Sequence, residues 1–297
     1  MELRVLHYFL AVAREQSISA AAQSLHLTQP TLSTQLKALE EELGKQLLVR
    51  STKGSRKVTL TEEGMILRKR AEEILTLVNK AEEEIAHSDD TVVGTVSIGA
   101  GETDIVRYFA KAARTLQKRY PDIRYQISSG NAEYVLEYLD KGLIDFGLVF
   151  GEVDQRKYQS LPLPAKDTWG VLMRRDSPLA EKEAITPQDL WDKPLLLSHQ
   201  RGGSGALFRW LKRDASQLNV VATYNLVYNA SLLVDEGLGY ALTLDKLIHT
   251  EGTDMCFRPL SPGMEATASI VWKKYQVFTK AADTFLRCLK EQLPQES

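Results

Sequence analysis

Residues 17–44, SISAAAQSLHLTQPTLSTQLKALEEELG, read as two helices joined by a tight polar turn. Ser17 or Ser19 is placed to cap the first helix, and the run Ala20, Ala21, Ala22 lets another helix approach closely. Thr28 is placed to cap the second helix, with Pro30 in its first turn, where a missing N–H is harmless. Leu32, Leu36, Leu39 and Leu43 recur at i, i+4, i+7 and i+11, one apolar stripe facing a core. The other side presents Gln29, Pro30, Thr31, Ser33, Thr34, Lys37 and Glu41. Short hydroxyl side chains with one lysine can lie in a DNA groove, donating to base edges and phosphates. Any helical hairpin with a solvated polar face shares this pattern, so the flanking sequence decides. Residues 47–60, LLVRSTKGSRKVTL, form a short apolar strand, a Lys/Arg/Gly/Ser tip and a second strand. Arg50, Lys53, Arg56 and Lys57 cluster on that hairpin, and a basic loop beside a polar helix is what phosphate contact requires. A winged helix-turn-helix is the better reading.

The run ISAAAQSLHLTQPTLSTQLKALEEELGKQLLVR, followed by LTEEG, resembles the N-terminal domain of LysR-type transcriptional regulators. The likeness continues through the whole chain. It implies a double-stranded DNA operator, a small-molecule effector, and a homodimer or homotetramer, with RNA polymerase as a candidate partner. Two departures stand out. Leu48 occupies a position where the family usually has Phe, and the segment 51–55 makes a longer wing.

The chain has 297 residues, too many for one ordinary core, so two or three domains are expected. A net charge of -2 leaves DNA contact to local basic patches rather than to the whole molecule. Cys256 and Cys288 are far apart and lack metal-ligand spacing, as expected of reduced structural thiols. The N-terminal segment MELRVLHYFLAVAREQ carries Arg14 and Glu15 where a signal peptide would need small residues. It reads instead as a helix with Leu3, Leu6, Leu10 and Ala13 on its core side. No apolar run approaches a membrane span, so no membrane partner and a cytoplasmic location are expected.

These signs divide the chain into a DNA-binding domain over 1–60, a linker helix over 61–90 and an effector domain over 91–297. Thr61 caps the linker helix, and Glu62 and Glu63 suit its dipole. Leu67, Ala71, Ile74, Val78, Ala81 and Ile85 form a heptad seam too long for one small domain to cover, which points to a dimer interface. Residues 87–92, HSDDTV, read as an interdomain hinge. Beyond them, short strands alternate with helices, the pattern of a parallel α/β sheet covered on both faces. The segment 161–164, LPLP, reads as a crossover, giving lobe 1 over about 91–161 and 266–297 and lobe 2 over about 162–265. Two α/β lobes joined by two crossovers resemble periplasmic solute-binding proteins, a fold the LysR effector domain shares.

Ligands in such sheets bind beyond the carboxyl ends of the strands. Those ends carry Glu102, Thr103, Ser128, Ser129, Ser198, His199, Gln200, Asn225 and Thr243, the candidate effector contacts. The segment 202–205, GGSG, is a candidate flap or anion nest. The family often has a neutral hydroxyl near Glu102, and an acid there suits a cationic or polyhydroxy group. The alternative is that Glu102 meets solvent or pairs with a Lys or Arg. No G-x-S-x-G, phosphate-loop or metal-binding pattern occurs, so no catalytic residue, cofactor or metal is expected. A free-standing solute-binding protein would match only the second half.

Overall fold

The computed structural model describes residues 1–50, 57–86, 92–198 and 201–294. Two compact units divide the chain, Met1–Ser88 and Asp89–Ser297. The expected hinge at 87–92 falls, apart from Val92, outside the described residues.

In the first unit, α1 (Leu3–Glu15), α2 (Ile18–Ser24) and α3 (Gln29–Leu43) precede a hairpin of β1 (Leu48–Arg50) and β2 (Val58–Leu60), then α4 (Glu62–Ala86). Ser17 caps α2, its Oγ accepting the Ala20 amide at 3.3 Å. Thr28 caps α3, accepting from Thr31 N at 3.4 Å, and Gly44 ends that helix at φ 64°. Between α2 and α3 the chain turns through His26 at φ 55°. Leu32, Leu36 and Leu39 are buried with Phe9, Val12, Ala21, Ala22 and Leu48. Leu43 is exposed, so the stripe stops one turn earlier than its spacing implied. The core side of α1 also differs from expectation: Val5, Leu6, Phe9 and Val12 are buried while Leu3 is exposed. The strand pair β1–β2 is antiparallel, Leu48 facing Leu60 and Arg50 facing Val58.

Thr61 caps α4 by accepting the Gly64 amide at 3.0 Å, and its hydroxyl donates to Gln46 O at 2.7 Å. The expected dimer seam is divided. Ala71 and Leu75 are buried against Leu6 of α1, with Leu67, Ile74 and Leu10 packed around them. Ala71 is therefore spent within its own chain, and its assignment to a dimer interface is corrected. Toward the carboxyl end Ala81 and Ile85 are exposed, as is Leu77 on the adjoining side.

The second unit holds two sub-sheets joined through one strand. In lobe 1, β3 (Gly94–Ala100) pairs in parallel with β4 (Ile123–Ser129) and with β5 (Phe146–Phe150). Helices α5 (Arg107–Arg119) and α6 (Ala132–Asp140) cross between them. The expected crossover at 161–164 lies inside β6 (Tyr158–Arg174), a strand of 17 residues. Its first half pairs with β11 (Glu265–Lys273) and its second with β9 (Tyr240–Leu244). Pro162 and Pro164 are tolerated because the register with β11 shifts between Thr267 and Ser269. Lobe 2 adds β7 (Leu195–Ser198), parallel to β8 (Val220–Tyr224) and to β9. An unanticipated strand, β10 (Met255–Pro259), pairs antiparallel with β6. Helices α7 (Arg201–Leu211) and α8 (Val227–Asp235) cover lobe 2, and α9 (Lys280–Gln292) packs on α5 in lobe 1. Residues 202–205 lie in the first turns of α7, so the expected flap is helix. The sheet is mixed, because the shared strands β6 and β11 run antiparallel to their neighbours.

At the start of α4, a Cβ added to Gly64 would lie 2.2 Å from Leu47 O, a backbone atom that also accepts the Thr61 amide at 3.0 Å. Neither partner can yield without moving the hairpin from the helix. Gly64→Ala is expected to destabilise the first unit by about 1–3 kcal/mol, read by urea unfolding of the full chain. An unchanged midpoint would show that the junction relaxes freely.

Candidate DNA-binding and ligand-binding sites

The exposed side of α3 presents Gln29, Pro30, Thr31, Thr34 and Lys37, while Ser33 is half-buried. Two of the hydroxyls are partly committed. Thr34 Oγ1 donates to Pro30 O at 2.9 Å, leaving lone pairs and a methyl group to face outward. Thr31 Oγ1 and Thr28 Oγ1 share a bond of 2.7 Å. Thr34 thus offers an acceptor and an apolar contact, not the donor that its residue type suggested. Arg50 lies in β1, and the expected wing cations Lys53 and Arg56 fall outside the described residues.

A cavity of about 290 Å³ opens in the second unit at the carboxyl ends of its parallel strands. Of the expected effector contacts, Glu102, Ser198, Asn225 and Thr243 line it. His199 and Gln200 fall outside the described residues. Thr103, Ser128 and Ser129 are not on its wall, for identifiable reasons. Thr103 is buried and caps a short 3-10 turn, accepting from Ile105 N at 3.0 Å while its hydroxyl donates to the Asp167 carboxylate. Ser128 bonds the Tyr134 phenol, and Ser129 is exposed. The polar residue that starts the next helix is Asn131, whose Oδ1 accepts Tyr134 N at 2.8 Å.

The apolar walls escaped the sequence reading, which followed polar strand ends. Leu148, Val149 and Phe150 of β5 contribute from lobe 1, and Trp169, Leu207, Val227 and Leu244 from lobe 2. Trp169 could have been suspected from its place where β6 passes between the lobes. Tyr224 also lines the cavity, its hydroxyl donating to Leu242 O at 2.6 Å. Burial, and secondly the negative charge of Glu102, push its phenol well above the ordinary range. Glu102 Oε2 accepts the Val227 amide at 2.5 Å, and no ion pair of Glu102 occurs among the described residues.

Asp167, 1% exposed, has its carboxyl pushed up from the ordinary 3.8 chiefly by burial, against the lowering bond from Thr103. Asp245 nearby adds to the rise, and Lys246 opposes it. A carboxyl raised on folding contributes most below its ordinary value, and that contribution is lost as pH climbs through the folded value. Removing the Thr103 hydroxyl pushes the folded value higher still. Thr103→Val should destabilise the second unit by about 1–3 kcal/mol at neutral pH, with the deficit shrinking as pH falls toward the ordinary carboxylate range. Urea titrations at pH 5 and pH 8 check this. A deficit independent of pH would mean that Thr103 acts only as a turn cap.

Comparison with known proteins gives two family matches. The LysR substrate binding domain matches residues 89–294, and the bacterial regulatory helix-turn-helix protein, lysR family, matches residues 3–65. The Hca operon transcriptional activator HcaR of Escherichia coli (strain K12) is 30% identical over 301 residues, covering 99% of this chain and 98% of that protein. The uncharacterized regulator YvbU of Bacillus subtilis (strain 168) is 28% identical over 242 residues, 82% of this chain and 81% of its own length. Among solved structures, CbnR, a LysR family transcriptional regulator, superposes with a TM-score of 0.77 at 20% identity, covering 99% of this chain and all of that one. CbnR complexed with its target DNA gives 0.75 at 21% identity, covering 98% of this chain and 99% of that one.

Proposed function

This chain belongs to the LysR family of bacterial transcriptional regulators, and from that premise we propose which of its residues read DNA, join subunits and hold the effector. It is a DNA-binding regulator with an effector-binding domain, and not an enzyme. No helix among the described residues is long and apolar enough to cross a membrane. We place the protein in the cytoplasm, where its operator lies.

The observation that carries the DNA assignment is the exposed row Gln29, Pro30, Thr31, Thr34 and Lys37, opposite three buried leucines of the same helix. That row enters the major groove, and the wing cations Arg50, Lys53 and Arg56 meet phosphates. The solved complex of CbnR with its target DNA supports DNA as the partner. Lys37 acts on phosphate or on a base edge, and the two are separable. Lys37→Ala should weaken operator binding by about 1–3 kcal/mol. Loss of a phosphate contact would also reduce the salt slope by about one unit. Titration of an operator fragment at several salt concentrations reads both, and unchanged affinity would remove Lys37 from the interface.

A second copy covers the carboxyl half of α4. Ile74, Val78, Ala81 and Ile85 keep the heptad spacing, and Leu77 extends the apolar side beyond the expected seam. A symmetric dimer then reads two half-sites of an interrupted palindrome. Ile85 is 75% exposed in the single chain, so a carboxylate there leaves the monomer undisturbed. Ile85→Asp should weaken association by several kcal/mol, the penalty of an unpaired charge in an apolar interface. Sedimentation velocity separates the outcomes: an intact wild-type oligomer would place the dimer contact elsewhere.

The effector occupies the cavity between the lobes of the second unit, contacted by Ser198, Asn225 and Thr243 and enclosed by Trp169 and Leu207. A ligand there favours one lobe arrangement to the extent that it binds that arrangement more tightly.

A further inference from the structure

Helix α8 begins without a cap of its own. Its N-cap residue is Leu226, which offers no side-chain acceptor to the first turn. The following residue, Val227, is buried, so its amide needs a partner from elsewhere. The partner comes from the other lobe: Glu102, in the loop after β3, accepts that amide at 2.5 Å across 125 positions of sequence. A carboxylate at this end of a helix is held by the amide and by the helix dipole together. The same side chain forms part of the cavity wall. The other acid on the wall, Glu265, is paired with Lys166 at 2.6 Å. Among the described lining residues there is no Lys, Arg or His.

We propose that Glu102 is a built-in occupant of the anion position at the amino end of α8, and that it thereby sets the ligand class. The cavity takes a small, largely apolar molecule whose polar group is a neutral or cationic donor, such as an amide or an amine, and it rejects a carboxylate. This inference rests on the reading of the cavity as the effector site. A carboxylate ligand would either lie against the Glu102 charge or displace it and take the Val227 amide. An amide or ammonium group instead donates to the lone pairs that Glu102 has left over. Rejection by a like charge and acceptance by a complementary lone pair are the two halves of specificity.

The test uses the full-length protein, calorimetry and three probes with one apolar body: cyclohexanecarboxylate, cyclohexanecarboxamide and cyclohexylmethylamine. The wild type should bind the amide or the amine at least about tenfold more tightly than the carboxylate. Glu102→Ser vacates the helix end and should raise carboxylate affinity by about tenfold or more. Glu102→Gln removes the charge but leaves a carbonyl acceptor on the Val227 amide, and should show a smaller gain than Glu102→Ser. A Ser variant that gains nothing for the carboxylate, or a wild type that prefers it, overturns the assignment. The Val227 amide gives a reading that does not depend on the Ser variant folding. Its proton resonance should move in Glu102→Gln while neighbouring lobe 2 signals stay in place, and an unmoved resonance also overturns the proposal. Leu207→Trp, which fills the cavity, separates this inference from the reading beneath it. Probe binding that survives Leu207→Trp removes the cavity as the site. Binding lost there, with no gain in Glu102→Ser, removes the ligand class alone.

Discussion

Burial of Leu32, Leu36 and Leu39 against Phe9 and Val12 decides which side of α3 meets solvent, and the surface we propose to read DNA follows from it. A helix has one rotation about its axis, so fixing three leucines inward fixes Gln29, Pro30, Thr34 and Lys37 outward. The Thr28 cap and the left-handed Gly44 set where that helix starts and stops. The hairpin is tied to the same frame, since Glu40 of α3 accepts the Leu47 and Leu48 amides at 2.8 and 3.0 Å. Leu48 is fully buried in this core. The recognition surface is thus the outer side of a packing problem solved within.

Much of the first unit was legible because its signals are local. Ser17, Thr28 and Thr61 mark helix starts through bonds spanning three residues, with Pro30 in the first turn of α3. The rotation of α1 was less legible, because Leu3, Leu6 and Leu10 compete with Val5, Phe9 and Val12 for the core, and α3 and α4 settle the contest. In the second unit β7, β8 and β9 stood out as short apolar runs. The long β6 did not, since two prolines interrupt it and each half belongs to a different sub-sheet. The start of α8 at Val227 is less legible, because no local capping residue marks it. Its cap is Glu102, 125 positions earlier, and no local pattern carries that information. For the same reason Thr103 was taken for a ligand contact: sequence places it after a strand, but not beside Asp167.

The cavity follows the same logic. Its polar members sit at strand ends, where turn chemistry puts polar residues in any α/β sheet, so sequence could nominate them but not rank them. What selects among them is the packing of lobe 1 against lobe 2 within the second unit. Among the described residues, Glu102 bonds Val227 and Thr103 bonds Asp167 from one lobe to the other. Both place a carboxylate where water is scarce, and each is matched to a donor. A ligand entering the cavity must respect the Glu102 carboxylate, whose partner is already chosen, while Asp167 and Thr103 lie behind the wall.

The linker helix shows how one apolar stripe can be shared between two tasks. At about 100° of rotation per residue, Ala71 and Leu75 point toward α1, whereas Leu77, Ala81 and Ile85 lie up to a third of a turn or more away. The stripe is therefore wider than a two-position seam, and a strict heptad reading compresses both tasks into one line. Toward the amino end, α1 takes its share, burying Ala71 against Leu6. Toward the carboxyl end, among the described residues of the same unit, Ile85 stays open to solvent. An apolar side continued past the reach of its own domain gains by meeting a copy of itself.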